Sequence, residues 1–274
     1  MRVLIAGCGD VGNVLAIALL QEGHAVYGLK RDTSTLPGGV QPIKADLLDP
    51  GTLNDLPADI DHLVFMPTPA SRDQAAYEAI FIRGWNNLWA GLKQEPSRVL
   101  LVSSTAVYGE ADGGIVDEET NPEPTGFNGK VLLEMEHTVA RCTENLVIVR
   151  ISGIYGPGRE RLIRLAVSEG LEVQQIPPYF TNRIHRDDAA MALKHLLEIE
   201  NPQAIYLATD DLPVPKYEVV EWLAGIQGGT SPKGTVVDKQ ASSGKRVSNR
   251  RLRESGFNLS YPDYRAGYAA VIKQ

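Results

Sequence analysis

Residues 5–12 read IAGCGDVG. Gly7, Gly9 and Gly12 stand in G-x-G-x-x-G spacing. Ahead of them is a short apolar run, Val3 to Ala6. Behind them, Val11 to Gln21 carries apolar residues at helical intervals and stops at Gly23. Strand, glycine turn and helix in that order are the context in which this spacing means a phosphate cradle. Gly7 permits the tight turn, Gly9 lets the backbone approach a pyrophosphate, and Gly12 lets the helix lie close to the strand. The helix start then offers free N–H groups and a positive dipole end to the phosphates. Asp10 and Val11 belong to the same expected contact set. A glycine-rich turn without a ligand is the alternative.

Outward from this turn, strand and helix signals alternate. Ala25 to Leu29, Gln41 to Ala45, His62 to Met66, Arg98 to Ser103 and Leu146 to Arg150 read as strands. The stretch RVLLVSS is apolar enough for burial on both faces. Residues 73–93 form a long helical stretch with Ala76, Ile80, Trp85, Leu88 and Leu92 at helix-like intervals, and a further helix runs from about Gly129 to Cys142. Such alternation implies a parallel sheet covered on both sides. The expected fold is α/β: a Rossmann-type doubly wound parallel sheet with a smaller C-terminal substrate lobe. After residue 150 the pattern loosens. An amphipathic helix with an acidic first turn (RDDAAMALKHLLEI, 186–199) and a strand (AIYLAT) return, followed by a short helix at 215–225 and a Gly/Ser/Lys-rich stretch. The expected division is a dinucleotide-binding domain over 1–150, to which 181–208 return, and a substrate lobe over 151–180 and 209–274.

The chain has 274 residues and a net charge of -7, the wrong sign for a nucleic-acid surface. Its two cysteines, Cys8 and Cys142, form no CxxC pair, and no Cys/His cluster has zinc spacing, so no metal is expected. The opening MRVLIAGCGDVG lacks a leader-like apolar region, and no apolar run approaches the roughly 18 residues a membrane span needs. A cytoplasmic protein without a membrane segment is expected.

The end of the second strand discriminates between dinucleotides. An acid there binds the ribose hydroxyls of NAD, whereas an arginine nearby accommodates the 2′-phosphate of NADP. The chain reads YGLKRD, with Lys30 and Arg31 where the acid would stand. NADP is therefore expected over NAD, although Asp32 could still swing onto a ribose. Asp46 and Leu47 follow the third strand near the expected adenine, where Asp46 could equally cap its own turn. Pro67, after the fourth strand, completes the cofactor set.

Beyond the glycine turn, the chain carries SSTAVYG (103–109), NGKVLLEME (128–136), VIVRISGIYGPGR (147–159) and NRIHRDDAA (182–190). In this order they resemble the extended short-chain dehydrogenase/reductase superfamily, specifically its NAD-dependent epimerase/dehydratase family in an atypical form. The resemblance implies that Ser104, with Thr105, meets the reacting sugar oxygen and that Lys130 holds the nicotinamide ribose. It also implies a tyrosine four residues before that lysine as acid/base. Here the stretch PEPTGFNGKVLLE (122–134) puts Gly126 at that place, with Phe127 beside it. Neither carries a proton. Tyr108, Tyr155 and His185 are the candidate substitutes. Gly126 and Gly129 together are expected to loosen the helix start.

Arg159, Arg183 and His185 are the candidate substrate contacts, with Arg161 and Arg186 nearby, since arginine suits phosphate. Some of these could instead pair with Glu160 and Asp187. The basic run GKRVSNRRL (244–252) reads first as structural. Three functions stay open. One is transient hydride transfer on a small-molecule substrate, a nucleotide-linked or other sugar. Another is a non-catalytic dinucleotide-binding sensor or scaffold. The third is an empty fold. Relatives in the superfamily pair through a helical face, which the helices at 73–93 and 129–142 could supply to a homodimer.

Overall fold

A computed structural model describes residues 1–109, 111–238 and 242–273. A seven-stranded sheet has the order Ile205–Ala208, Leu146–Ile151, Arg98–Ser104, His62–Phe65, Arg2–Ala6, Ala25–Lys30, Gln41–Lys44. The pairings of Arg2–Ala6 with its two neighbours, and the next ones outward, are parallel. Along the far edge, Ile148 N–H donates to Ala204 C=O and Ser152 N–H to Ala208 C=O, so these strands also run in one sense. The doubly wound parallel expectation holds. Val3, Leu4, Ile5, Leu63, Val64, Phe65, Val99, Leu100 and Leu101 have no exposed surface. That two-faced burial is why these strands read as unbroken apolar runs. Each such side chain contributes about 1.5–3 kcal/mol.

Strand order reverses between Arg2–Ala6 and His62–Phe65. In open α/β sheets, a crevice opens at such a reversal, beyond the carboxyl ends of the strands. The glycine turn leaves Arg2–Ala6 there and enters the helix Asp10–Gln21. The stretch expected as one helix over 73–93 is helical over Gln74–Glu78 and Gly84–Gly91, joined by a π-helical turn over Ala79–Arg83. Trp85 anchors it, edge-on to Phe65 at 5.3 Å and stacked on Trp89 at 5.3 Å. No helix of the described residues is long and apolar enough to cross a membrane.

Packing divides the chain into two compact units. One is Met1–Val107 with Pro124–Arg150 and Ala190–Tyr206; the other is Tyr108–Glu123 with Ile151–Ala189 and Leu207–Gln274. This differs from the sequence boundaries at 108–123, 181–189 and 207–208, and for the first two pairing gives the reason. Asp112–Val116 runs parallel to Gly244–Val247, and Arg183–His185 pairs with Gly153–Tyr155. The second unit has its own core, with Tyr155, Val219, Val220, Leu223, Tyr264 and Tyr268 at its centre. Residues 239–241 of the Gly/Ser/Lys-rich stretch lie outside the described residues.

Candidate functional site

Gly7 has φ +88°, and a Cβ on it would stand 2.6 Å from Pro67 Cα and 2.7 Å from Pro67 N. Only glycine lets the first strand turn against the end of the fourth. The turn is held by Gly7 N–H and Cys8 N–H donating to Leu29 C=O at 2.9 and 3.3 Å, and Gly9 N–H to Gly7 C=O at 2.7 Å. Gly9 differs: a Cβ there would meet only Gly7 O, at 3.8 Å. The chain itself does not need glycine at 9, so that position is open toward whatever approaches the turn. No side chain at Gly9 caps the helix. At Gly12 a Cβ would reach Cys8 Sγ and Ile5 Cγ2 at 3.4 Å and Met66 Sδ at 3.5 Å, so the helix does lie close to the strand, at the near edge of ordinary contact.

A cavity of about 240 Å³ opens beyond the strand ends of the first unit. Of the expected cofactor residues, Gly7, Gly9, Lys30, Arg31, Asp46, Leu47 and Pro67 line it; Asp10, Val11, Gly12 and Lys130 do not. Lys30 Nζ donates to Thr35 Oγ1 at 2.7 Å. Arg31 is exposed, and its guanidinium makes no hydrogen bond or ion pair among the described residues. Asp32 is outside the lining; the Ser34 side chain and then the Ser34 N–H, which donates to it at 3.0 Å, hold its carboxyl below the usual range. Asp46 both lines the cavity and accepts Leu48 N–H at 2.9 Å, the capping role foreseen for it. Cys8, Ala76, Ala79 and Ile80 also line the wall, and no motif marks them in the sequence. They are ordinary apolar positions there, and burial pushes the Cys8 thiol up to about 11.

A glycine cradle, two cations and an apolar wall at the strand reversal fit a dinucleotide's phosphates, ribose and adenine. Glu22, His24 and Glu198 also converge in this unit. There, Lys194 Nζ already lies 2.6 Å from Glu22 and 2.9 Å from Glu198, so the chain supplies the cation itself.

The strand Arg98–Ser104 ends at Ser104, whose Oγ accepts Ala106 N–H at 3.2 Å. The helix Phe127–Ala140 docks on the next turn through Gly129, where a Cβ would stand 2.2 Å from Ala106 O and 2.7 Å from Pro124 Cβ. Gly129 is thus a contact point, not the loosening residue expected. About two turns further in, a buried network fixes the helix. Glu136 Oε1 accepts Ser103 Oγ–H at 2.5 Å and Arg150 Nε–H at 3.0 Å; Oε2 accepts Arg150 Nη2–H at 2.6 Å. Thr105 is buried, and Lys130 is exposed. Gly126 is the helix N-cap with φ −86° and ψ 153°, and its C=O accepts Lys130 N–H at 3.1 Å. Its Cβ direction meets only Asn128 Oδ1, a movable side-chain end at 2.7 Å.

The remaining candidates belong to the second unit. Tyr108 is buried and its Oη donates to Asp117 C=O at 2.8 Å. Tyr155 and His185 are buried, and desolvation raises the Tyr155 phenol and lowers the His185 imidazole. Arg183 is only 4% exposed, with its guanidinium beneath Tyr264 and on Thr181 Oγ1. Arg159 is exposed. Arg186 pairs with Asp187 at 2.9 Å. In the basic run, Lys245 meets Tyr108 C=O, Arg246 Nε meets Gly113 C=O at 2.7 Å, and Arg251 meets Glu119. These cations hold the unit together.

The comparisons agree with this geometry. The curated protein YeeZ of Escherichia coli K12 is 26% identical over 96% of this chain and 97% of its own length. A solved Methylobacillus flagellatus protein, itself only provisionally assigned as an NAD-dependent epimerase/dehydratase, is 37% identical. It covers 99% of this chain and 97% of its own, with a TM-score of 0.85. The UDP-glucose 4-epimerase of Thermotoga maritima, solved with UDP-glucose, shares the fold at a TM-score of 0.82 and 15% identity, over 100% and 98% of the two chains. The profile of the NAD dependent epimerase/dehydratase family matches residues 3–207, and the chain belongs to that family.

Proposed function

We infer that the first unit binds a nicotinamide dinucleotide, NADP(H) in preference to NAD(H), and acts by transient hydride transfer on a small-molecule substrate of the nucleotide-linked or other sugar class. The observation that carries this is one cavity lined by Gly7, Gly9, Lys30, Arg31, Asp46, Leu47 and Pro67 at the strand reversal. Gly9 leaves room for a pyrophosphate against the backbone, and the helix start favours its charge. Lys30 and Arg31 suit a 2′-phosphate, while Asp32 stands outside the cavity lining with one carboxylate oxygen on Ser34 N–H. When bound, the dinucleotide supplies the hydride acceptor and donor. Ser104 Oγ would orient a substrate hydroxyl, and the Lys130 ammonium would hold the nicotinamide ribose. The Ser103–Glu136–Arg150 network keeps the two elements carrying them in register.

The test is to incubate the chain with NADP⁺ or NAD⁺ and a panel of nucleotide sugars. Reduced nicotinamide is followed by absorbance and isomer exchange by NMR. Exchange with any member supports the reading. Saturated binding of both ligands without reduction or exchange would reject it. That result would favour a non-catalytic dinucleotide sensor, for which the proton-free Gly126 is the supporting observation.

A further inference from the structure

The two cations of the cavity lining differ in how they are held. Arg31 is exposed and its guanidinium is unpaired among the described residues. Lys30 is half-buried, and no carboxylate pairs with it among the described residues. Directly opposite it on the neighbouring strand Gln41–Lys44 stands Lys44, a like charge. Like charges opposed across strands repel. What holds Lys30 is a hydroxyl: its Nζ donates to Thr35 Oγ1 at 2.7 Å. That hydroxyl is itself fixed. Thr35 ends the short helical turn Thr33–Thr35, which Asp32 opens by accepting Ser34 N–H. Thr35 C=O accepts Asn13 Nδ2–H at 3.1 Å, and Asn13 belongs to the helix Asp10–Gln21 that leaves the glycine turn. Next to Thr35, Leu36 packs on the second strand, where a Cβ at Gly28 would come within 2.8 Å of Leu36 Cδ2. The turn is thus tied both to that helix and to the strand that carries Lys30. The Cys8 thiol, in the same cavity wall, is raised by burial and drawn back by the Lys30 ammonium, so that charge acts toward the glycine turn.

We propose that Thr35 is a positioning residue for the choice of dinucleotide: its hydroxyl holds the Lys30 ammonium at the cavity, where a 2′-phosphate can meet it. This rests on the dinucleotide-binding reading above. An ammonium has three N–H donors. Thr35 takes one and two remain for phosphate oxygens, so the hydrogen bond is kept when the anion binds. A free lysine side chain gives up rotamer freedom when an anion fixes it. Here part of that loss is already met in the unliganded chain, and pre-organised groups bind more tightly for that reason. NADH lacks the 2′-phosphate. The Thr35 contact therefore acts on the difference between the two dinucleotides and not on the binding they share.

The test is calorimetric titration with adenosine 2′,5′-bisphosphate and with 5′-AMP, which differ by the 2′-phosphate alone. Thr35→Val keeps the side-chain shape and the backbone carbonyl on Asn13 and removes the acceptor of Lys30. The position is exposed, so the fold is retained. Thr35→Val should weaken the bisphosphate roughly three- to tenfold, the worth of one hydrogen bond, and leave 5′-AMP unchanged. Thr35→Ser should restore the bisphosphate. In a Lys30→Met background Thr35→Val should add nothing, because Thr35 acts through Lys30. A turn with a merely structural role would weaken both ligands, with or without Lys30, and that result overturns the proposal. So does a wild-type preference for the bisphosphate that is lost in Lys30→Met and kept in Thr35→Val. If the wild type binds the bisphosphate no more tightly than 5′-AMP, the NADP reading itself fails, and the role of Thr35 fails with it.

Discussion

Alanine at each glycine of the turn asks a different physical question. At Gly7 the left-handed backbone alone costs ~1–2 kcal/mol, and the collision with Pro67 adds to it. Gly7→Ala should therefore lower stability in denaturant titrations. At Gly9 the chain has room, so Gly9→Ala should change stability by less than about 1 kcal/mol while weakening dinucleotide affinity about tenfold, ~1.4 kcal/mol. Calorimetric titration separates the two effects. Gly12→Ala should leave both nearly intact. In the second unit, Asp210 is only 1% exposed, and burial raises its carboxyl to about 8. The unfolded chain loses that proton near the ordinary aspartate value of 3.8. Between these values the folded state holds one proton more, so the Asp210 contribution falls as pH rises from about 4 to about 8. Asp188 and Glu118 are shifted the same way by burial. Asp210→Asn keeps the Oδ1 that accepts Leu212 N–H. It should raise Tm at pH 8 more than at pH 5; equal changes would refute this account of Asp210. Roles given by residue type alone failed where burial decides. Nothing in the words Tyr, His or Arg says that Tyr108, His185 and Arg183 are enclosed.

The helix Phe127–Ala140 is held by a steric contact at one end and a buried charge pair further along. Removing one partner of a buried pair leaves the other charge stranded, at a cost of about 3–5 kcal/mol. Glu136→Ala should show a loss of that order in denaturant unfolding, because Arg150 is 3% exposed. Glu136→Gln should lose less, since an oxygen still accepts from Ser103 and Arg150. A Glu136→Leu/Arg150→Leu double variant should recover much of the deficit. The strands of the main sheet were legible to within a residue or two because two-faced burial writes an apolar run into the chain. The π-helical turn was not, since apolar spacing from Ala76 through Trp85 continues across it. Nor was the strand Asp112–Val116, whose sequence DGGIV looks like a turn and whose partner is Gly244–Val247, far along the chain.

The whole molecule combines a net charge of -7 with a local pair of cations at the rim of its phosphate cradle. An anionic ligand is therefore attracted by a local site against the general field, and such attraction between exposed charges weakens with salt. Arg31→Asp should remove most of the NADPH preference while sparing NADH affinity, as read by calorimetry. The lining of the cavity was partly legible in the sequence, because glycine spacing and strand ends are local features: Gly7, Gly9, Lys30, Arg31, Asp46, Leu47 and Pro67 line it. The burial of Tyr108, His185 and Arg183 was not, because it is set by segments far apart in the chain. The decisive experiment is thermal unfolding of the wild-type chain with NADPH, with NADH and with neither, at one common concentration. A ligand that binds only the native state stabilises by RT ln(1 + [L]/Kd), about 2.7 kcal/mol at one hundred times Kd. Both dinucleotides should raise Tm, NADPH more than NADH. An unchanged Tm with both would contradict dinucleotide binding at the Gly7–Gly12 turn.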